Sequence, residues 1–119
     1  MNSPLKIALV GLRGINDWMY RPAIGALPEI AALTGGVDPN PEARAGFTER
    51  TGLPAFETLS ALMHSPAAPE AVVIGTPNPY HRANAEEALE AGLHVSVTKP
   101  LCNSSADADA VLKKAAGAG

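Results

Sequence analysis

The residues near the start of the chain that are best suited to chemistry are a short glycine loop and an aspartate that follows it. The loop, GLRGIN, begins at Gly11 directly after an apolar run. Asp38 stands about 20 residues beyond the loop, after a second apolar run. A glycine after a strand permits a tight turn against a phosphate, and a carboxylate after the next strand can accept hydrogen bonds from ribose hydroxyls. This spacing predicts a dinucleotide site.

The loop departs from the G-x-G-x-x-G pattern that usually marks such sites. Gly11 matches its first position, but Arg13 stands at the second glycine and Asn16 at the third. Arg13 either offers its guanidinium to a phosphate or blocks the site, and an ordinary glycine turn is the alternative reading of the whole loop. The candidate cofactor residues of the loop are Gly11, Arg13, Gly14 and Ile15.

Asp38 has two interpretations that the sequence leaves open. It either binds the adenosine ribose or simply opens the turn Asp38-Pro39-Asn40 as a solvated acid, which is a common role for aspartate. If it binds ribose, its charge repels a 2′-phosphate, so NAD is favoured over NADP. Arg44, a few residues further on, keeps NADP possible.

Two later loops follow apolar runs in the same way and carry a family resemblance. The stretch 71–101, AVVIGTPNPYHRANAEEALEAGLHVSVTKPL, resembles the N-terminal domain of the glucose-fructose oxidoreductase, inositol dehydrogenase and MocA-like (Gfo/Idh/MocA) family. That family has an apolar strand leading into T-P-N-x-x-H, a helix ending A-L-x-A-G-x-H-V and a strand ending E-K-P. LKIALVG at the start and GVDPNPEAR in the middle extend the resemblance over essentially the whole chain.

The resemblance implies a Rossmann domain for NAD or NADP and assigns roles to residues in both loops. Lys99 would lie between nicotinamide and substrate and assist hydride transfer to or from a sugar, cyclitol or similar alcohol; without the resemblance, a lysine before proline indicates a surface cation. The residues expected to line the cofactor are Thr76, Pro77, Asn78, His81, Lys99 and Pro100. Thr98 departs from the family pattern, where a glutamate is expected beside the lysine.

Alternating strands and helices are needed to position these loops, and the chain predicts them. Apolar runs predict strands at 5–10, 30–37, 55–56, 71–74 and 94–97, and caps and breakers predict helices at 22–27, 42–51, 58–64, 79–91 and 107–116. This alternation predicts an α/β fold with a doubly wound parallel sheet in three layers, incomplete at its C-terminal edge. In such sheets ligands bind beyond the carboxyl ends of the strands, where the candidate residues stand.

Bulk composition excludes several classes of partner. The chain has 119 residues and a formal net charge of −3 without a long run of either sign, so we expect neither nucleic-acid nor membrane binding. Cys102 is the single cysteine, which rules out an intramolecular disulfide and favours the cytoplasm. No metal-ligand spacing occurs in the sequence.

The length allows one domain, residues 1–119, with a real core. Members of the family carry a second domain that supplies the substrate pocket, and we expect this C-terminal substrate and catalytic domain to be absent and the chain to be inactive alone. We also expect self-association through the edge formed by residues 94–97 or through helix faces. The alternatives to an NAD(P)-binding domain of such an oxidoreductase are a non-catalytic nucleotide-sensing or regulatory module and a structural domain.

Overall fold

A computed structural model describes residues 4–14, 16–76, 80–97 and 112. Over these ranges the chain forms one parallel sheet in the order β3-β2-β1-β4-β5. The strands are β1 (Leu5–Val10), β2 (Ala31–Val37), β3 (Ala55–Phe56), β4 (Ala71–Ile74) and β5 (His94–Val97). The predicted doubly wound α/β architecture is confirmed. No helix among these residues has the length and apolarity needed to cross a bilayer.

The helices connect successive strands, and local sequence signals set their ends. They are a π-helix (Asn16–Tyr20), α1 (Arg21–Gly25), α2 (Pro41–Thr51), α3 (Leu59–Met63) and α4 (His81–Glu90). The start of α2 is capped by the Asn40 side chain, which accepts a hydrogen bond from Ala43 N at 2.9 Å. The helix is terminated by its C-cap, Gly52, which lies in the left-handed region at φ 72°. Glycine adopts this conformation without strain.

The core lies on both faces of the sheet because side chains alternate along β1. Ala8 and Val10 belong to a buried cluster that includes α3 and α4. Leu9 points to the opposite face and packs with Phe47 of α2. Helices on both faces of a parallel sheet give the three layers that the sequence predicts.

Several element boundaries differ from the sequence prediction, among them the end of α1 at Gly25, the start of α2 at Pro41 and the end of α4 at Glu90. Strand β2 begins at Ala31, because Ile30 lies in a turn in which its N–H bonds Leu27 O at 3.2 Å. The helical segment predicted to begin at residue 22 begins at Asn16, whose amide is tied to the end of the sheet. Helix α3 is one residue shorter at each end, since Thr58 and His64 are its caps. The predicted helix 107–116 falls almost wholly outside the described residues.

The strand order places a topological switch point between β1 and β4. The chain leaves β1 towards β2 on one side and later returns to β4 on the other. The connections that follow these strands therefore diverge and leave a crevice at the carboxyl edge of the sheet. This crevice lies where the sequence predicts ligand-binding loops.

Candidate dinucleotide-binding site

A groove of about 750 Å³ opens at this switch point. It is formed by the turns after β1, β2 and β4 and by the start of α4. A volume of this size is typical of pockets that hold small molecules and cofactors. Its described lining residues are Gly11, Arg13, Gly14, Asp38, Pro39, Gly75, Thr76, Tyr80 and Asn84.

Gly11 makes the turn at the base of the groove, and it has to be glycine. Its φ is 88°, and a Cβ there would lie 3.0 Å from Gly75 C and from the backbone and side chain of Thr76. Its N–H donates to Val37 O at 2.8 Å, which joins the turn to the end of β2. The absence of a side chain thus brings the turns after β1 and β4 into contact.

Asp38 connects the glycine loop to the turn after β2. One carboxylate oxygen accepts from Leu12 N at 3.0 Å and the other from Asn40 N at 2.9 Å. The residue is 5% exposed and still borders the groove. Each carboxylate oxygen has a second lone pair for a further donor. Asp38 therefore holds the turn and also presents negative charge to the groove.

Arg44 supports the same turn from its outer side. Its Nη1 donates to Asp38 O at 2.9 Å and to Pro39 O at 3.0 Å. Arg44 is not among the described residues that line the groove. In this conformation the guanidinium stabilises the backbone around Asp38.

Helix α4 holds Thr76 by two hydrogen bonds. The Thr76 hydroxyl donates to Asn84 Oδ1 at 2.6 Å. His81 Nε2 lies 2.7 Å from Thr76 O, and because a carbonyl only accepts, this nitrogen must carry the proton. His81 is fully buried. The loop after β4 is thus fixed to the first turns of α4.

The switch point itself contains a buried amide, Asn16. Its Nδ2 donates to Val10 O, Gly11 O and Val73 O, at 3.1, 2.8 and 3.2 Å. Asn16 follows the loop at the position of the third glycine of the motif, and sequence reasoning treated it only as an irregularity. Its amide joins the carboxyl ends of β1 and β4.

The structure brings together most of the described residues that the sequence selected. Gly11, Arg13, Gly14, Asp38 and Thr76 all border the groove. His81, expected to line the cofactor, is fully buried and is bonded to the Thr76 carbonyl. Ile15, Pro77, Asn78, Lys99 and Pro100 lie outside the described residues.

Four described groove residues were missed by sequence reasoning: Pro39, Gly75, Tyr80 and Asn84. Gly75 follows β4 directly, and a glycine in that position is a signal of close backbone approach. Asn84 stands three residues after His81, which places both on one face of a helix. Tyr80 is 58% exposed at the groove; its neighbours in sequence gave no signal that it would face a ligand.

The geometry suits a dinucleotide. Gly11 and Gly75 allow the turns after β1 and β4 to pack closely at the base of the groove, Arg13 supplies positive charge, and Asp38 supplies an acceptor after the second strand. A groove at the switch point of a 3-2-1-4-5 sheet with these features defines the class of dinucleotide-binding Rossmann domains.

Comparison with known proteins identifies the family. The model of the Gfo/Idh/MocA group, described as an oxidoreductase family with an NAD-binding Rossmann fold, matches residues 5–119. The chain belongs to this family and forms its NAD(P)-binding domain. The predicted family resemblance and cofactor class are confirmed.

Individual relatives agree with this assignment. The chain is 36% identical over 83 residues to UDP-N-acetylglucosamine 3-dehydrogenase of Acidithiobacillus ferrooxidans, covering 70% of this chain and 26% of that protein. The WlbA dehydrogenase of Bordetella pertussis, solved with NADH and UDP-GlcNAcA, matches at a TM-score of 0.93 and 30% identity, covering 99% of this chain and 35% of that one. The 3-ketoreductase KijD10 of Actinomadura kijaniata, solved with NADP and TDP-benzene, matches at a TM-score of 0.86 and 27% identity, covering 97% of this chain and 35% of that one.

The chain spans only part of the length of these relatives. It covers 28% and 26% of two curated relatives and about a third of the solved chains. The similarity therefore concerns their cofactor-binding domain.

Proposed function

We propose that this chain is the NAD-binding part of an oxidoreductase that acts on a nucleotide-activated sugar. The observation that carries the proposal is the groove at the β1/β4 switch point, bounded by Gly11, Asp38 and Thr76. Relatives named for UDP-sugars and solved with UDP- or TDP-containing ligands support the substrate class. The bound nicotinamide supplies the hydride acceptor or donor.

Each wall of the groove has a part in binding. We assign the pyrophosphate to the turn of Gly11, Arg13 and Gly14, with Ile15 next in the sequence, and the Arg13 guanidinium provides its positive charge. Asp38 accepts hydrogen bonds from the adenosine ribose and disfavours a 2′-phosphate, so NAD is preferred over NADP. We assign Thr76, Pro77 and Asn78 to the nicotinamide side from the family motif; of these, Thr76 lines the groove, and His81 is bonded to its carbonyl.

Lys99 and Pro100 follow β5, the strand next to β4. The carboxyl end of β5, at Val97, lies beside the carboxyl end of β4, from which the Thr76 loop starts. We assign Lys99 the role of donating a hydrogen bond or proton to the carbinol oxygen of the sugar. The assignment rests on the family motif together with this order of strands.

Calorimetric titration with NADH tests the cofactor proposal. The unmodified chain should bind NADH. Gly11→Ala should weaken binding at least roughly tenfold, because the new Cβ pushes the turns after β1 and β4 apart. Gly52→Ala is the matched control: it also replaces a positive-φ glycine, but with nothing within 4 Å and away from the groove. Equal affinities of the two variants would contradict the proposal.

Turnover of a UDP- or TDP-sugar tests the proposed reaction. In a protein that pairs this domain with a substrate-binding domain, Lys99→Met should lower kcat by roughly 10²–10⁴-fold, the usual contribution of a positioned acid or base. Lys99→Arg keeps the charge and serves as the control for a purely electrostatic effect. NADH binding without turnover of any nucleotide sugar would favour the nucleotide-sensing module, for which Arg13 at the second glycine position is the supporting observation.

The proposal extends to location and association. We propose a cytoplasmic protein, in keeping with a single cysteine and a dinucleotide cofactor. We also propose that copies of the chain associate through β5, which is an outer strand of the sheet among the described residues. An exposed strand edge offers unpaired backbone groups to a second chain.

A further inference from the structure

The side chain of Asn16 is built into the sheet at the point where the groove opens. The residue is fully buried, and Nδ2 lies within 3.2 Å of three carbonyl oxygens, those of Val10, Gly11 and Val73. An amide nitrogen has two hydrogens, so one of them is shared between two acceptors. Asn16 is thereby bonded to the last residue of β1, to the glycine turn and to β4.

The orientation of this amide follows from its surroundings. The reverse orientation would point Oδ1 at three carbonyl oxygens, none of which can donate. In the observed orientation Oδ1 is buried without a hydrogen-bond partner in the described part of the chain. An unpaired buried acceptor is unfavourable, so the favourable contribution of this side chain comes from the three hydrogen bonds of its nitrogen.

Gly75 lies against this amide, and its lack of a side chain makes room for the amide. A Cβ on Gly75 would lie 2.7 Å from Asn16 Cγ and Nδ2, closer than unbonded atoms pack. Gly75 borders the groove, and its N–H donates to Val10 O at 2.8 Å. The amide therefore occupies the space between the loop after β1 and the loop after β4, and both loops form walls of the groove.

We propose that Asn16 is a positioning residue for phosphate binding. Its amide fixes the separation of the two walls, so that the glycine turn and Arg13 face the pyrophosphate while Thr76, in the opposite wall, lies towards the nicotinamide. The third glycine of the usual motif only allows close packing, whereas Asn16 also forms hydrogen bonds that join the two walls. This role rests on the proposed binding of a dinucleotide by the groove.

Binding of ligands with and without phosphate tests the role. NADH, ADP-ribose and adenosine are titrated into the chain and into Asn16→Gly, with folding checked by circular dichroism. Asn16→Gly should weaken NADH and ADP-ribose by a similar factor, roughly tenfold, and leave adenosine unchanged, because adenosine contacts only the Asp38 side. Asn16→Ser, which keeps one shorter donor, should show the same selectivity with a smaller loss and replaces the glycine variant if that variant does not fold.

Each other outcome overturns the inference in a recognisable way. Equal weakening of all three ligands shows that Asn16 supports only the general fold. Unchanged affinity for ADP-ribose shows that the amide does not position the phosphate site. If the unmodified chain binds none of the three ligands, the dinucleotide proposal itself fails, and the role of Asn16 fails with it.

Discussion

At the scale of single residues, Asp38 shows how one side chain serves both a turn and a ligand site. The sequence offered these as competing interpretations. The carboxylate accepts from Leu12 N and Asn40 N, and it also borders the groove. The hydrogen bonds of the turn therefore hold the Asp38 carboxylate rigidly in place at the groove. The structural role is compatible with the proposed ribose contact.

Removing the charge of Asp38 should change the choice between NADH and NADPH. Asp38→Asn removes the repulsion of a 2′-phosphate and loses one of the two hydrogen bonds from Leu12 N and Asn40 N, because an amide NH2 cannot accept. We expect the preference for NADH over NADPH to fall by about tenfold, because the ribose loses a charge-assisted acceptor and a 2′-phosphate no longer meets a negative charge. Competition titrations with both cofactors measure it.

Glu57→Gln is the control for Asp38→Asn, because it removes an exposed carboxylate that does not line the groove. A cofactor preference that stays the same in Asp38→Asn, or changes equally in the control, would contradict the role of Asp38.

Single residues also mark the limit of what sequence could predict. Gly11 and Asp38 were found because their types and spacing match a known physical need. The role of Asn16 was not found from the sequence. It depends on carbonyl groups of β1 and β4, which are distant in sequence and are brought together only by the fold. The burial of His81 was missed for a similar reason, because its partner Thr76 O is only placed by the fold.

At the scale of elements, α4 fixes the loop that forms one wall of the groove. Asn84 in its first turns accepts from the Thr76 hydroxyl, and His81 donates to the Thr76 carbonyl. Helix α4 packs on β4 through buried Ala85 and Ala88, so the packing of the helix also fixes the position of the loop. Rigid elements position binding groups more accurately than loops alone.

Asn84→Ala tests the contribution of α4. The change leaves Thr76 without its acceptor, so we expect the free energy of unfolding to fall by about 1 kcal/mol and NADH affinity to fall with it. Thr58→Ala is a matched change that removes the side-chain cap of α3, away from the groove, at a similar cost of about 1 kcal/mol. Denaturant unfolding and NADH titration of both variants separate the effects; equal NADH affinities would contradict a role of α4 in the site.

The elements themselves were largely predictable. The second halves of β1 and β2 and most of β4 are buried in a parallel sheet, which favours continuous rather than alternating hydrophobicity. Pro41 and Gly52 mark the ends of α2 in the sequence as in the structure. The π-helix was not predicted, because its first residue, Asn16, is held by tertiary bonds rather than by helix propensity.

At the scale of the whole molecule, the outer strand β5 makes association testable. Multi-angle light scattering after size-exclusion chromatography should show a mass that rises with concentration. Ser96→Lys adds charge to an exposed position on β5 and should shift the equilibrium towards monomer, because charged edge strands resist pairing. A monomer at every concentration in the unmodified chain would contradict association through β5.

The central claim is that the groove at the β1/β4 switch point holds the dinucleotide. Mapping backbone amide resonances of the isotopically labelled chain during NADH titration tests it most directly. We expect saturable shifts concentrated at Gly11, Gly14, Asp38, Gly75 and Thr76, with Gly52 and Glu57 unaffected. Shifts confined to other surfaces, or none at saturating NADH, would contradict the claim.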